Sequence, residues 1–311
     1  MCGIMGYLKT GVRTPQTRLA LRLLMEAIEE RGHHASGFAA LYKGGEKAYF
    51  KAPIPASEIV KTKRWKAAMQ AHPVVLIGHA RWATHGPAKV NANNHPHVSE
   101  DGRYLLVHNG VVNDDLGVKC RTECDTEGIL RLVMKKGVTK AVDALNATSK
   151  SSYAVLCFDS VTRQLYAFRN TGSPCVIADL TEQIGGIVFC STRMLLEEAL
   201  ECAGVDTTGM VVKSLKPGWW YRFGASGGAI DISGLEFDEA PAYTGLGFEW
   251  DDDEDWRRWV FRPAPKVEVP SPAQKTWSEY YKSDNYQKEV DGKIPWYREY
   301  LHRHGFEYPE G

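Results

Sequence analysis

The sequence predicts an α+β fold in which sheets carry helices on their outer faces. Three observations lead there: short β-rich runs recur along most of the chain, two groups of helical periodicity interrupt them, and no internal repeat divides the chain into copies. The 311 residues, 43% of them hydrophobic, suffice for one large core or two smaller ones.

Each element has its own signature. Residues 2–8 are short, apolar and flanked by glycine, as a buried strand is. Thr14-Pro15 opens a helix, with Thr14 as its cap and Pro15 in its first turn. Leu21, Leu24, Met25 and Ile28 repeat at helical spacing, and Gly32 closes the run after Arg31. The runs 38–43 and 46–51, joined by Gly44-Gly45, read as a hairpin. Runs 74–78 and 104–107 are strands that each lead into a polar motif. A helix is expected over 125–136 and a second around 140–146. Strands follow at 153–158, 164–169, 175–178 and 186–190, then a helix around 193–203 and a last strand near 219–223.

The composition then shifts, which divides the chain into a domain over 2–235 and a C-terminal extension over 236–311. The acidic run at 251–255 and the proline-rich stretch at 263–272 read as a solvated linker. Five of the nine tryptophans (Trp250, Trp256, Trp259, Trp277 and Trp296) nevertheless lie in the extension, and disordered segments are poor in aromatics. Such rings are expected to bury against the domain or a partner.

Charge and cysteine usage narrow the function classes. Lys+Arg 38 against Asp+Glu 38 gives no electrostatic reason to expect a nucleic acid or an anionic membrane as partner. No stretch approaches the roughly 20 apolar residues of a membrane span, and the start lacks the basic-then-apolar pattern of a signal peptide. Seven cysteines at irregular spacing do not form a disulfide framework. A soluble, cytoplasmic protein is expected.

The residue that draws attention first is Cys2. A small residue after the initiator normally permits removal of Met1, which would leave Cys2 with a thiol and a free α-amine on one residue. That amine, with a pKa near 8, is able to activate the thiol. The other reading makes Cys2 a small apolar side chain at the start of a strand.

Three polar motifs lie at predicted strand ends. In the run from Gly78 to Gly86, Arg81 offers a planar fork suited to a carboxylate, with Thr84 and His85 as further donors. In His108-Asn109-Gly110, the Asn109 amide and the Gly110 N–H are two neutral donors able to converge on an oxyanion. Asp125-Thr126-Glu127 opens a helix, where Asp125 either caps it or holds an ammonium group. Taken together they would grip an amino-acid head group beside a nucleophilic thiol. That is equipment for a side-chain carboxamide, glutamine or asparagine.

With these motifs the chain resembles the glutaminase domain of class II glutamine amidotransferases, which are N-terminal nucleophile hydrolases. Within them the likeness is strongest to the glutaminase half of glucosamine-6-phosphate synthase. It rests on Cys2-Gly3-Ile4, Arg31-Gly32 with Ser36-Gly37, the run 79–86, Asn94-His95-Pro96-His97-Val98-Ser99, His108-Asn109-Gly110 and Asp125-Thr126-Glu127, with echoes at Gly172-Ser173-Pro174 and Cys190-Ser191. The resemblance implies a four-layer αββα sandwich of two mostly antiparallel sheets. It implies Cys2 as nucleophile with its own α-amine as base, and Asn109 and Gly110 as the oxyanion hole. It further implies Arg81, assisted by Thr84 and His85, on the α-carboxylate of glutamine, and Asp125 with the Gly110 backbone on the α-amine. Trp82 would close the site and Arg31 would belong to the loop framing it.

The family usually carries an acidic residue where this chain has His33-His34. No metal site and no cofactor are expected, since most of the histidines fall in motifs that work without metal and no cysteine or carboxylate spacing completes a shell. The extension shows no phosphate-cradling glycine loop and no nucleotide motif. The resemblance therefore implies a glutaminase subunit feeding ammonia to a separate synthase or ligase. The alternatives are a free amidohydrolase and a catalytically idle scaffold. The oligomeric state is not legible in the sequence.

Overall fold

The structure, a computed structural model, describes residues 2–224 and the backbone of 229–234. The chain opens with β1 (Gly3–Lys9), α1 (Gln16–Ala27), β2 (Ala35–Leu41), β3 (Lys47–Ala52), α2 (Ala56–Ile59), α3 (Lys63–Gln70) and β4 (Val75–Arg81). It continues with β5 (His97–Val98), β6 (Tyr104–Val111), α4 (Asp125–Lys136), α5 (Val138–Asn146), β7 (Ser152–Asp159) and β8 (Gln164–Arg169). The last elements are β9 (Val176–Leu180), α6 (Thr181–Ile184), β10 (Gly186–Cys190), α7 (Arg193–Cys202), β11 (Val212–Ser214), β12 (Trp219–Gly224) and β13 (Ala229–Gly234).

Two antiparallel sheets follow from these strands. One runs β11-β9-β10-β1-β4-β2-β3, the other β13-β12-β8-β7-β6-β5. Alternation along each strand sends successive side chains to opposite faces. In β1, Ile4 and Leu8 enter the core between the sheets, where they meet Val107, Leu156 and Phe189. Met5 and Tyr7 instead enter the core that the first sheet shares with α1, α2, α3 and α7. The second sheet turns Leu106, Tyr153 and Phe168 outward onto α4 and α5. The layers are therefore helix, sheet, sheet, helix, the αββα sandwich expected. Burying each such Leu, Ile or Phe contributes about 1.5–3 kcal/mol, so the three cores hold the layers together.

Several elements match their expected bounds, β8, β10 and α4 among them. The expected Thr14 cap does not form. Pro15 is the N-cap of α1 without a side-chain cap, and the Thr14 hydroxyl donates instead to the Gln183 carbonyl at 2.7 Å. The first helix also tightens after Ala27 into a 3-10 turn, Ile28–Arg31, which brings Arg31 back toward β1. Helix α3, unread in the sequence, is capped by Thr62, whose hydroxyl accepts from the Trp65 N–H at 3.1 Å. It buries only Trp65, Ala68 and Met69, too few positions for a clear periodicity. The expected extension over 236–311, with its acidic run and five tryptophans, lies outside the described residues.

Candidate active site

β1 and β4 are neighbours, with Gly3 opposite Ala80 and Ile4 opposite His79. That register places Cys2, just before β1, beside the residues that follow β4. The Trp82 N–H donates to Cys2 Sγ at 3.3 Å, and the thiol donates back to the Trp82 carbonyl at 3.4 Å. Arg31 Nε donates to the Cys2 carbonyl at 2.9 Å. Next along β1, Ile4 exchanges bonds with Ser191: its N–H donates to Ser191 Oγ at 2.8 Å, and its carbonyl accepts from the Ser191 N–H at 3.0 Å. Burial pushes the Cys2 thiol pKa above its ordinary value. The Trp82 bond and the Arg81 charge oppose that shift, and the Asp125 charge adds to it.

The loop after β4 is shaped by Arg81, a buried guanidinium. Nη1 donates to Asn94 Oδ1 at 2.9 Å, while Nη2 donates to the carbonyls of His85 and of Gly86, the latter at 2.9 Å. Three bonds leave part of its five-donor fork for a ligand. Asn94 is itself held by Lys51 Nζ, which donates to its carbonyl at 2.6 Å. The side chains of Thr84 and His85 pair with each other, Oγ1 to Nδ1 at 3.2 Å, at the rim of the loop rather than with Arg81.

The His33-His34 pair packs on this same loop. The Ala83 N–H donates to His34 Nδ1 at 3.0 Å. The Trp82 ring, 43% exposed, lies 4.7 Å from the His34 ring and 5.4 Å from that of His33. Gly32 makes the approach possible: a Cβ there would sit 2.3 Å from the Trp82 nitrogen.

The second sheet brings the other two motifs. His79 Nε2 donates to the His108 carbonyl at 3.0 Å, bridging β4 of one sheet to β6 of the other. Asn109 follows, 1% exposed, and its Oδ1 and Nδ2 have no hydrogen-bond partner among the described residues. A buried amide left so is rare and points to a ligand. Gly110 has φ +143, a conformation that favours glycine, and a Cβ there would sit 2.0 Å from the Ser152 carbonyl oxygen. Asp125 joins the third motif to this strand end: Oδ2 accepts from the Val112 N–H at 2.8 Å and Oδ1 from the Thr126 N–H at 3.0 Å. Cys124, not Asp125, is the N-cap of α4.

Sequence reasoning named no role for His34, His79, Asn94, Thr126, Ser152 or Ser191. His79, Asn94, Thr126 and Ser191 fell within the quoted motifs, which did not say what they touch. The spacing argument also missed that Cys124 meets the histidines, 29 residues from His95, so that ligand-capable atoms of His95, His97 and Cys124 lie within 4.8 Å of one another. His97 is pushed down to about 3 by burial, and its Nε2 has no partner among the described residues.

No family model matches the chain. It is 34% identical over 174 residues to a glutamine–fructose-6-phosphate aminotransferase (isomerizing) of Aquifex aeolicus, covering 52% of this chain and 27% of that protein. The namesake of Geobacillus kaustophilus is 35% identical over 192 residues, covering 57% and 30%. The chain thus spans less than a third of the length of these two relatives. Among solved structures, the glutamine phosphoribosylpyrophosphate amidotransferase of B. subtilis superposes with a TM-score of 0.58 at 19% identity, covering 76% of this chain and 50% of that one. An allosteric regulatory enzyme of purine biosynthesis gives 0.54 at 21% identity, covering 73% and 48%. These two carry the fold alone. By sequence over about half its length the chain is similar to the glutamine–fructose-6-phosphate aminotransferases, and by fold over three quarters it shares the αββα sandwich of the two amidotransferase structures, the N-terminal nucleophile hydrolase fold.

Proposed function

We propose that this domain hydrolyses the side-chain amide of glutamine through a γ-glutamyl thioester on Cys2 and delivers the ammonia to an acceptor-activating synthase or ligase. The observation that carries the reading is a thiol clasped by the Trp82 main chain at the end of one sheet, together with a buried Asn109 amide on the other that has no hydrogen-bond partner among the described residues. A thiol whose pKa is raised by burial is poorly ionised at neutral pH and needs a base. Removal of Met1 supplies one, the α-amine of Cys2 itself.

In this reading the amine draws the thiol proton and sulfur attacks the carboxamide carbon. The oxyanion takes donors from Asn109 Nδ2 and the Gly110 N–H. The C–N bond then breaks, and the proton leaves with nitrogen as ammonia. Water adds to the thioester, returning a proton to sulfur and releasing glutamate. Arg81 holds the α-carboxylate with the donors its loop leaves over, and Asp125 holds the α-amine. Trp82 and the two histidines against it cover the entrance, and Arg31 fixes the Cys2 carbonyl.

In this reading the acceptor step belongs to a separate subunit. Among the described residues no helix is long and apolar enough to cross a membrane, and a cytoplasmic setting fits the reading. The test is ammonia release from glutamine by the native chain and by Cys2→Ala, with mass spectrometry of the mature N-terminus. A cooperative melt with ammonia release abolished supports the mechanism. Undiminished release by the variant, or an active chain that retains Met1, would overturn it.

A further inference from the structure

His108 stands immediately before the two oxyanion donors, and all four of its polar groups are engaged. Its carbonyl accepts from His79, its N–H donates to His95 Nδ1 at 3.4 Å, Nδ1 meets Thr126 Oγ1 at 2.9 Å, and Nε2 donates to the Ser152 carbonyl at 3.4 Å. Thr126 Oγ1 also meets His95 Nε2 at 3.0 Å. All three residues are buried.

The direction of every bond in this ring follows from its two backbone members. A backbone N–H only donates and a carbonyl only accepts. The His108 N–H therefore requires a bare Nδ1 on His95, and the Ser152 carbonyl requires a proton on Nε2 of His108. Burial lowers the pKa of both imidazoles, so each is neutral and carries one proton. His95 then donates through Nε2 to Thr126 Oγ1, and the Thr126 hydroxyl has its single proton free for His108 Nδ1. One hydroxyl, accepting once and donating once, closes the ring. It also removes His95 Nε2 as a metal ligand, which leaves the cluster of His95, His97 and Cys124 with two ligand atoms among the described residues, one of them the Cys124 sulfur that already pairs with Asp125 Oδ1 at 3.7 Å, short of a shell.

The backbone of Thr126 serves the other half of the site, since its N–H donates to Asp125 Oδ1. We infer that Thr126 is a positioning residue for the oxyanion donors: its hydroxyl fixes the tautomer and seat of His108, and through them Asn109 and Gly110. This rests on the amidotransferase reading. The amine anchor at Asp125 depends on the Thr126 amide and not on its hydroxyl, so the two contributions are separable.

The experiment is steady-state ammonia release by the full chain carrying Thr126→Val or Thr126→Ser, with imidazole nitrogen NMR of the native chain. Val keeps the amide and loses the hydroxyl, and the expected result is a fall in kcat of about 10- to 100-fold with KM for glutamine within about threefold. Ser restores the hydroxyl and is expected to recover kcat to within about threefold of native. In the native spectrum His108 and His95 are both expected as the Nε2–H tautomer. A folded Val chain with native kcat, a Ser chain no better than Val, or the Nδ1–H tautomer at His108 overturns the proposal. A native chain no more active than Cys2→Ala would defeat the amidotransferase mechanism instead, and the tautomers, read without any variant, would still decide the ring.

Discussion

Gly110→Ala tests whether the proposed oxyanion donors are held by backbone crowding. A Cβ at this position would lie 2.0 Å from the Ser152 carbonyl oxygen, 2.7 Å from its carbon and 2.8 Å from His108 Nε2. The first two are backbone atoms of β7, so no flexible side chain is able to swing away, and β6 and β7 must part by about 1 Å at this point. A displacement of that size in a catalytic constellation costs about 100-fold in rate, roughly 2.7 kcal/mol of barrier. The strained φ of +143 adds a stability cost of about 1–3 kcal/mol. The control is Gly117→Ala, where φ is +63 and a Cβ meets nothing within 4 Å. It is expected to cost about 1–2 kcal/mol in stability and nothing in kcat. Ammonia release paired with urea denaturation of both variants separates the effects. A Gly110→Ala chain with kcat within threefold of native would refute the reasoning.

Three further outcomes are expected. Gly32→Ala places a Cβ 2.3 Å from the Trp82 nitrogen, the atom that donates to Cys2 Sγ, and should lower kcat about tenfold or more with little change in helix content by circular dichroism. Stability should fall on acidification because His97 is held near 3: above the unfolded value of about 6.5 both states are neutral, and below it only the unfolded chain takes up the proton. From pH 7 to 5 that one residue costs about 2 kcal/mol, with the likewise depressed His79 and His95 acting in the same direction, and denaturation midpoints that do not move would refute this. Arg103→Ala removes a two-pronged pair with Asp159, at 3.0 and 2.7 Å, on the far turn of the second sheet; it should cost about 1 kcal/mol in stability and leave ammonia release unchanged.

Helix α4 shows what a sequence states locally. An acidic first turn at Asp125 and Glu127 and a basic last turn at Lys135 and Lys136 bracket an apolar stripe, and the observed helix has those ends. Polar motifs at strand ends were equally legible, because an apolar run that gives way to charged and amide side chains marks where a core strand ends. The partners of those motifs were not. Cys2 meets Trp82 across 80 positions, Ile4 meets Ser191 across 187, and Arg31 reaches Cys2 only because α1 tightens into a 3-10 turn. Thr14 looked like a cap because a Thr-Pro pair often is one, yet the Gln183 carbonyl, brought beside it by the fold, is the group its hydroxyl reaches.

By itself the sequence determined the α+β class, the order of the elements and the chemical groups at their ends: a thiol, a guanidinium, an amide and a carboxylate. Periodicity and chain direction suffice for that, since they depend on neighbours a few residues apart. Only the tertiary structure decided which way those groups face and which protons they carry. Registers β1–β4 and β6–β7, together with the bond from His79 to His108 across the two sheets, bring fixed backbone donors and acceptors against Cys2, His95 and His108. A buried side chain takes its proton positions from such partners, and no local pattern names them.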